Sequence, residues 1–204
     1  MLKLHNECRS KTAKEDRAAD MMKMRWDYTA ANVAQKWADQ CKWQHSSSKY
    51  GENLFISSAQ DIYKVIGQAV NSWYNEKKYY NYNHCSSDCI KKCGHFTQVV
   101  WAKSSRLGCG IRKCNKVIGT SFTNSYFVVC NYSPAGNMVK DKILGKPYTK
   151  GEPCSECPGY CTSESLCRKI STKRTLYDFL SRTADTESDW NEEKDEDFGV
   201  QYKD

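Results

Sequence analysis

Gly94-His95-Phe96-Thr97-Gln98-Val99-Val100-Trp101 and Phe127-Val128-Val129-Cys130-Asn131-Tyr132-Ser133-Pro134-Ala135-Gly136-Asn137 are the stretches on which the fold of this 204-residue chain turns. Phe96 to Trp101, Leu107 to Cys114 and Tyr126 to Tyr132 are short, rich in Val, Ile, Phe and Tyr, and separated by turn-prone Ser, Gly and Asn, which predicts antiparallel strands. Upstream the period changes. Asp27 can cap a helix with Ala30, Val33, Ala34, Trp37, Ala38 and Cys41 on one face, and Asp61 another with Ile62, Val65, Ile66, Ala69, Val70 and Trp73. Lys77 and Lys78 would close the last turn of that second helix, and a shorter helix is expected around Leu4 to Arg9. Helices first and strands after argue for an α+β fold, a small antiparallel sheet covered by helices.

Beyond Asn137 the apolar periodicity fades. Cys154, Cys157, Cys161 and Cys167 then crowd into a segment too short to bury a core, so crosslinks are expected to hold it. From residue 171 acid accumulates, with a frayed helix expected near Leu176 to Leu180 and disorder after it. Residues 183 to 204 hold nine acids and two lysines, a charge of -7, which leaves +14 on residues 1 to 182 of a chain whose total is +7. Such a balance is compatible with anionic lipid surfaces, glycosaminoglycans or nucleic acid as partners, but the lysines of that body are scattered, which reads as a solvated basic surface. A mean hydropathy of -0.78 and the lack of a long apolar run exclude a transmembrane helix. Twelve cysteines without zinc-knuckle spacing favour an extracellular disulfide framework.

The two stretches quoted first resemble the signatures of the CAP superfamily, which comprises cysteine-rich secretory proteins, antigen 5 allergens and pathogenesis-related 1 proteins. His5-Asn6-Glu7-Cys8-Arg9 and Gly51-Glu52-Asn53-Leu54 are similar to its two shorter motifs, in the family's order. The Cys89 to Cys93 insertion is similar to the glioma pathogenesis-related branch. The resemblance divides the chain into a CAP domain at 1–139, a cysteine-rich hinge at 140–170 and an acidic tail at 171–204. It implies an α-β-α sandwich, a three-stranded sheet between helix layers, followed by a disulfide-rich hinge. It also implies secretion, with the signal peptide expected on an upstream segment missing from this chain.

The resemblance further implies a cleft holding His45, Glu52, Glu76 and His95. Successive separations of 7, 24 and 19 residues would not by themselves group these four. Two imidazoles and two carboxylates can hold a divalent cation, zinc or magnesium, with no cofactor required for folding. His5 matches a family motif outside the cleft and reads as a structural histidine, and His84 as an exposed loop residue. Among cysteines the family pattern implies Cys41 with Cys114, Cys109 with Cys130, Cys154 with Cys161 and Cys157 with Cys167. Cys89 with Cys93 would close a short loop, which leaves Cys8 and Cys85 as a sixth pair on the evenness of the count. Tyr80 and Tyr82 match two of three aromatics of a sterol-contacting loop, but Ser87 stands at the third. Val33, Trp37, Val65, Ile66 and Ala69 are candidates for lining an apolar channel between two helices. Asn131-Tyr132-Ser133 is formally a glycosylation sequon.

No G-x-S-x-G elbow is present and every cysteine has a structural role, so an enzyme reading lacks its nucleophile. The function expected is a secreted, non-enzymatic protein that binds a lipid or an extracellular protein partner. The alternative is a metal-dependent hydrolase using the same four residues. A third reading is an interaction module whose acidic tail docks on a basic partner or on the basic body.

Overall fold

Helix α1 (Leu2–Glu15) runs well beyond the short helix expected at Leu4 to Arg9. Its inner face buries His5, Arg9, Thr12 and Ala13. The computed structural model describes residues 1–83, 89–140 and 143–170. The acidic tail, the helix expected near Leu176 to Leu180, His84, Cys85 and Ser87 lie outside them. Among the described residues no helix is long and apolar enough to cross a membrane.

The elements that follow are β1 (Arg25–Trp26), α2 (Tyr28–Ala38), β2 (Gly51–Ser57), α3 (Ile62–Asn75), a 3-10 turn at Glu76–Tyr79, α4 (Ile90–Val99), β3 (Arg106–Lys116) and β4 (Thr123–Ser133). Both expected caps form: Asp27 accepts the backbone N–H of Ala30, and Asp61 those of Tyr63 and Lys64. Lys77 and Lys78 fall in the 3-10 turn instead of the last α-helical turn, because α3 ends at Asn75 and tightens.

The sheet has the order β1-β3-β4-β2. Its antiparallel body pairs Leu54 with Val129 and Cys109 with Cys130, and β1 adds a short parallel edge against Arg106 and Leu107. The three-stranded sheet implied by the resemblance therefore gains a fourth, two-residue strand. The strand expected at Phe96 to Trp101 is not one: Phe96 to Val99 complete α4 and Val100 caps it.

Side chains alternate across β4 and separate two cores. Phe127 and Val129 pack with Ala34 and Ala38 of α2. Val128, Cys130 and Tyr132 face the other way, toward Val65, Ala69 and Trp73 of α3 and Phe96 and Val99 of α4. The result is an α-β-α sandwich. Arg9 lies fully buried, and among the described residues no carboxylate forms an ion pair with it. Its guanidinium donates to the carbonyls of Met22, Val99, Trp101 and Ala102 at 2.5–3.0 Å, so the charge is solvated by main chain.

Hairpins β5 (Val139–Lys140) with β6 (Ile143–Leu144), and β7 (Tyr160–Cys161) with β8 (Cys167–Arg168), follow the sandwich. Met1–Lys169 form one unit by their contacts. Tyr148 and Leu166 belong to the larger core, and Cys167 exchanges backbone hydrogen bonds with the segment Met21 to Lys23. Disulfides join Cys41 to Cys114, Cys89 to Cys93, Cys109 to Cys130, Cys154 to Cys161 and Cys157 to Cys167. Cys8 is a free thiol, against the bridge to Cys85 expected from an even count. Burial raises its pKa to about 11, which keeps it protonated at neutral pH.

Candidate metal cleft

Glu76 opens the 3-10 turn, where the chain leaves α3 and can reach α4. Its Oε1 accepts from His95 Nδ1 at 2.7 Å, and its Oε2 accepts the backbone N–H groups of His95 and Phe96 at 3.0 and 3.2 Å. Trp73, one turn earlier on α3, stacks on the His95 ring with centroids 6.3 Å apart. An open groove of about 670 Å³ borders the same carboxylate along Gln68, Asn71, Ser72 and Asn75 of α3.

Glu52 sits on β2 with its side chain only 5% exposed, whereas His45, in the loop after α2, is 64% exposed. Glu52 Oε1 accepts from His45 Nδ1 at 2.8 Å and from the Ser46 backbone N–H at 2.9 Å, and Ser46 Oγ donates to Oε2 at 2.6 Å. A buried carboxylate is thereby satisfied by three donors.

Asn53, next to Glu52 on β2, ties the two pairs together. Its Nδ2 donates to the His95 carbonyl and to the Tyr132 hydroxyl oxygen, both at 3.1 Å. Tyr132 is in turn 2.8 Å from His5 Nε2, and His5 Nδ1 is 3.0 Å from the Met1 carbonyl. A carbonyl only accepts, so Nδ1 carries the His5 proton, Nε2 is a lone pair, and the Tyr132 hydroxyl donates to it. Burial lowers the His5 pKa to about 4 and raises that of Tyr132 well above its ordinary value, so both stay neutral. Sequence reasoning missed Ser46, Asn53 and Tyr132 as supports of the cleft. The signal was available in Asn53 and Tyr132, polar side chains inside two motifs that otherwise read as strand.

The same acceptor logic fixes the cleft imidazoles. Each carboxylate takes Nδ1–H, so a neutral ring presents Nε2 as a free lone pair. The carboxylate oxygens are already engaged, and among the described residues no three of the four side chains bring donor atoms within 4.8 Å of one another. The arrangement is two His–Glu pairs rather than a closed four-ligand cage. The one set that close, Cys154, Cys157 and Cys167, is tied up in disulfides and has no thiolates to offer. Ser46 donates to the carboxylate and not to an imidazole, so the pair does not activate it as a nucleophile.

The remaining candidates are placed elsewhere. Tyr80 packs its ring on Phe96 at 5.5 Å, and Tyr82 packs on Tyr148 at 5.4 Å while its hydroxyl donates to the Tyr148 carbonyl. Lys146 and Lys150 cover the Tyr82 ring. Val33 and Trp37 lie on α2, whereas Val65, Ile66 and Ala69 lie on α3 across the sheet, so these five do not line one channel. Asn131 of the sequon is fully buried, its Nδ2 3.4 Å from the Ala30 carbonyl.

The model of the cysteine-rich secretory protein family, CAP, matches residues 2–132. Peptidase inhibitor 16 of Mus musculus is 38% identical over 191 residues, covering 92% of this chain and 37% of that protein. GLIPR1-like protein 1 of Bos taurus is 38% identical over 179 residues, covering 82% of this chain and 69% of its own length. The chain thus spans under two-fifths of the peptidase inhibitor 16 proteins it matches. Among solved structures, NaASP2 with Zn2+ superposes with a TM-score of 0.69 at 31% identity, covering 82% of this chain and 92% of that one. Hookworm platelet inhibitor gives 0.67 at 26% identity, covering 83% and 88%.

Proposed function

The chain belongs to the cysteine-rich secretory protein (CAP) family, and from that premise we propose that it is a secreted binding protein, not an enzyme, whose cleft holds a divalent cation. The observation that carries this reading is the paired use of Nδ1. Glu52 and Glu76 each hold one imidazole by that nitrogen, which leaves Nε2 of His45 and His95 for a ligand. A carboxylate behind a histidine is the usual support of a metal ligand. Two neutral nitrogens favour zinc over magnesium, which prefers oxygen. The similar NaASP2 was solved with Zn2+, which supports the same choice here.

The partner class is an extracellular protein or a lipid. Tyr80 and Tyr82 have their rings occupied by packing, which favours a protein over a sterol at that loop. Relatives bear the name peptidase inhibitor, so a peptidase is the first protein class to assay.

Equilibrium dialysis of chelator-stripped protein against zinc tests the reading. One equivalent should bind. His45→Ala or His95→Ala should each weaken it at least about tenfold, and Glu52→Gln or Glu76→Gln should cost about 10–100-fold by removing the carboxylate charge behind the imidazole. Unchanged affinity in the double histidine variant, with native circular dichroism, would place the metal elsewhere. Zinc-dependent hydrolysis abolished by Glu52→Gln would replace this reading with the metal-dependent hydrolase.

A further inference from the structure

The loop after α2 and the turn from β3 into β4 build a second surface, separate from the interior of the cleft. Trp43 N–H donates to the Ile118 carbonyl at 2.9 Å, Ile118 N–H to Cys41 at 2.8 Å, and Val117 N–H to Phe122 at 3.0 Å. The Cys41–Cys114 disulfide fastens the same two segments, and Gly119, at φ 88°, makes the turn without a side chain in the way. Three large apolar side chains stand on this rigid tip, with Ile118 55% exposed, Phe122 43% and Trp43 42%. Trp43 is braced edge-on against buried Phe127, centroids 6.0 Å apart, so its exposure is held in place.

Charge around the tip has one sign. Residues 40–44 and 114–124, which build the tip, contain Lys42 and Lys116 and no Asp or Glu. Lys113 is turned across the sheet to Gln60 Oε1 at 2.7 Å and the Tyr126 ring, and Lys49 adjoins Gly51 at the Tyr132 end of β2. Lys42 and Lys116 make no ion pair among the described residues, and the nearby Asp39 is paired with Arg112 at 3.9 Å. Glu52 on β2 is the other acid near the loop, and its oxygens are taken by His45 and Ser46.

We propose that this tip is a peripheral membrane-docking surface for bilayers that contain anionic phospholipid. Trp43, Ile118 and Phe122 enter at headgroup depth, where an indole ring is favourably placed. Lys42 and Lys116 meet the negative surface potential, which attracts basic groups within a Debye length. A polyanionic glycan would use the lysines and leave the apolar side chains without purpose. An exposed apolar cluster rimmed by unpaired cations fits the composition of an anionic bilayer surface. The inference goes beyond the cation reading and does not depend on it.

Cosedimentation with sucrose-loaded vesicles of phosphatidylcholine, with and without phosphatidylserine, tests it. The full chain should pellet with the phosphatidylserine vesicles at least about tenfold better than with phosphatidylcholine alone, and high salt should erase the difference. Ile118→Ser with Phe122→Ser leaves the charge unchanged, and should reduce partitioning by at least about tenfold, as should Lys42→Glu with Lys116→Glu. These side chains are exposed, so folding is preserved; Trp43→Ala, which also removes the contact with Phe127, is read only if its circular dichroism is native. Chelator should change nothing. Equal binding to both vesicles, or an apolar double variant that binds like the parent, would overturn the proposal. Heparin binding that needs the lysines but not Ile118 and Phe122 would reassign the tip to a glycan. Release from vesicles by chelator would move the contact to the cation in the cleft, leaving that reading standing and this one not.

Discussion

His5 is the far end of a hydrogen-bond chain that passes through Tyr132 and Asn53 and ends on the carbonyl of His95. The chain works only with His5 neutral, because Nε2 must accept. Burial depresses its pKa from 6.5 to about 4, so above pH 6.5 the ring is neutral folded and unfolded and the contribution to stability is complete. As pH falls from 6.5 toward 4 the unfolded chain takes up a proton that the native state refuses, and stability is lost through that window. The loss from this one group amounts to about 3 kcal/mol. His5→Gln cannot titrate, so urea denaturation at both ends of the window should show a drop smaller by about that amount. Equal drops in parent and variant would remove His5 as the cause. In the sequence His5 reads only as a structural histidine, and the four cleft residues are too far apart to be grouped by spacing. What tells their roles is which nitrogen each carboxylate holds, a property of the folded chain.

Among the elements, legibility follows exposure. Helices α2 and α3 each keep one side in water, so their apolar stripes and the Asp27 and Asp61 caps are visible in the sequence. Helix α4 leaves Lys91 and Lys92 exposed but buries Cys93, Gly94, Phe96, Thr97, Gln98 and Val99, so near-consecutive positions rather than one stripe face the core. Its β-prone Phe96, Val99, Val100 and Trp101 therefore read as strand, an ambiguity that a short apolar run cannot resolve. Strand β2 escapes notice for the opposite reason, since Glu52 and Asn53 put polar side chains where a strand pattern wants apolar ones. Close approach of α2 to β3 shows in two glycines. A Cβ on Gly110 would lie 2.3 Å from the Gln35 Cα, and one on Gly108 2.1 Å from the Ala31 nitrogen. Backbone on backbone leaves nothing to rotate away. The contact also lets the Gln35 side chain pair with both the N–H and the carbonyl of Ile111 at 3.0 Å, as a neighbouring strand would. Gly110→Ala should cost at least about 2 kcal/mol by pushing α2 off the sheet. Gly67→Ala, in α3 with open space around it, should instead stabilise by about 0.5–1 kcal/mol through helix propensity. Chemical denaturation of the pair checks both signs, and a neutral Gly110→Ala would mean that the helix can shift freely.

At the scale of the whole molecule, composition and packing divide the chain in different places. The sequence changes character after Asn137, yet the segment that follows completes the core it leaves. Tyr148 and Leu166 are buried within it. The carbonyls of Pro147, Thr149 and Cys167 accept from the backbones of Ala102, Ala19 and Lys23 at 2.6–2.8 Å, and the N–H of Cys167 donates to Met21 at 2.7 Å. Ala18, Ala19 and Met21 have no exposure in the folded chain. A chain cut after residue 139 would uncover this segment and strand its polar groups half-solvated beside an open core. The bridges from Cys154 to Cys161 and from Cys157 to Cys167 lie wholly inside the removed part, so none of the stabilisation they confer would remain. Residues 1–139, produced in an oxidising host, should therefore unfold at lower urea, with a loss of several kcal/mol and weakened near-ultraviolet dichroism. Residues 1–170 should unfold at the midpoint of the whole chain, because the contact-defined unit ends at Lys169. If the shorter piece matches the longer one, the hinge rests on a core that is complete without it, and the buried places of Tyr148 and Leu166 contribute nothing to its stability.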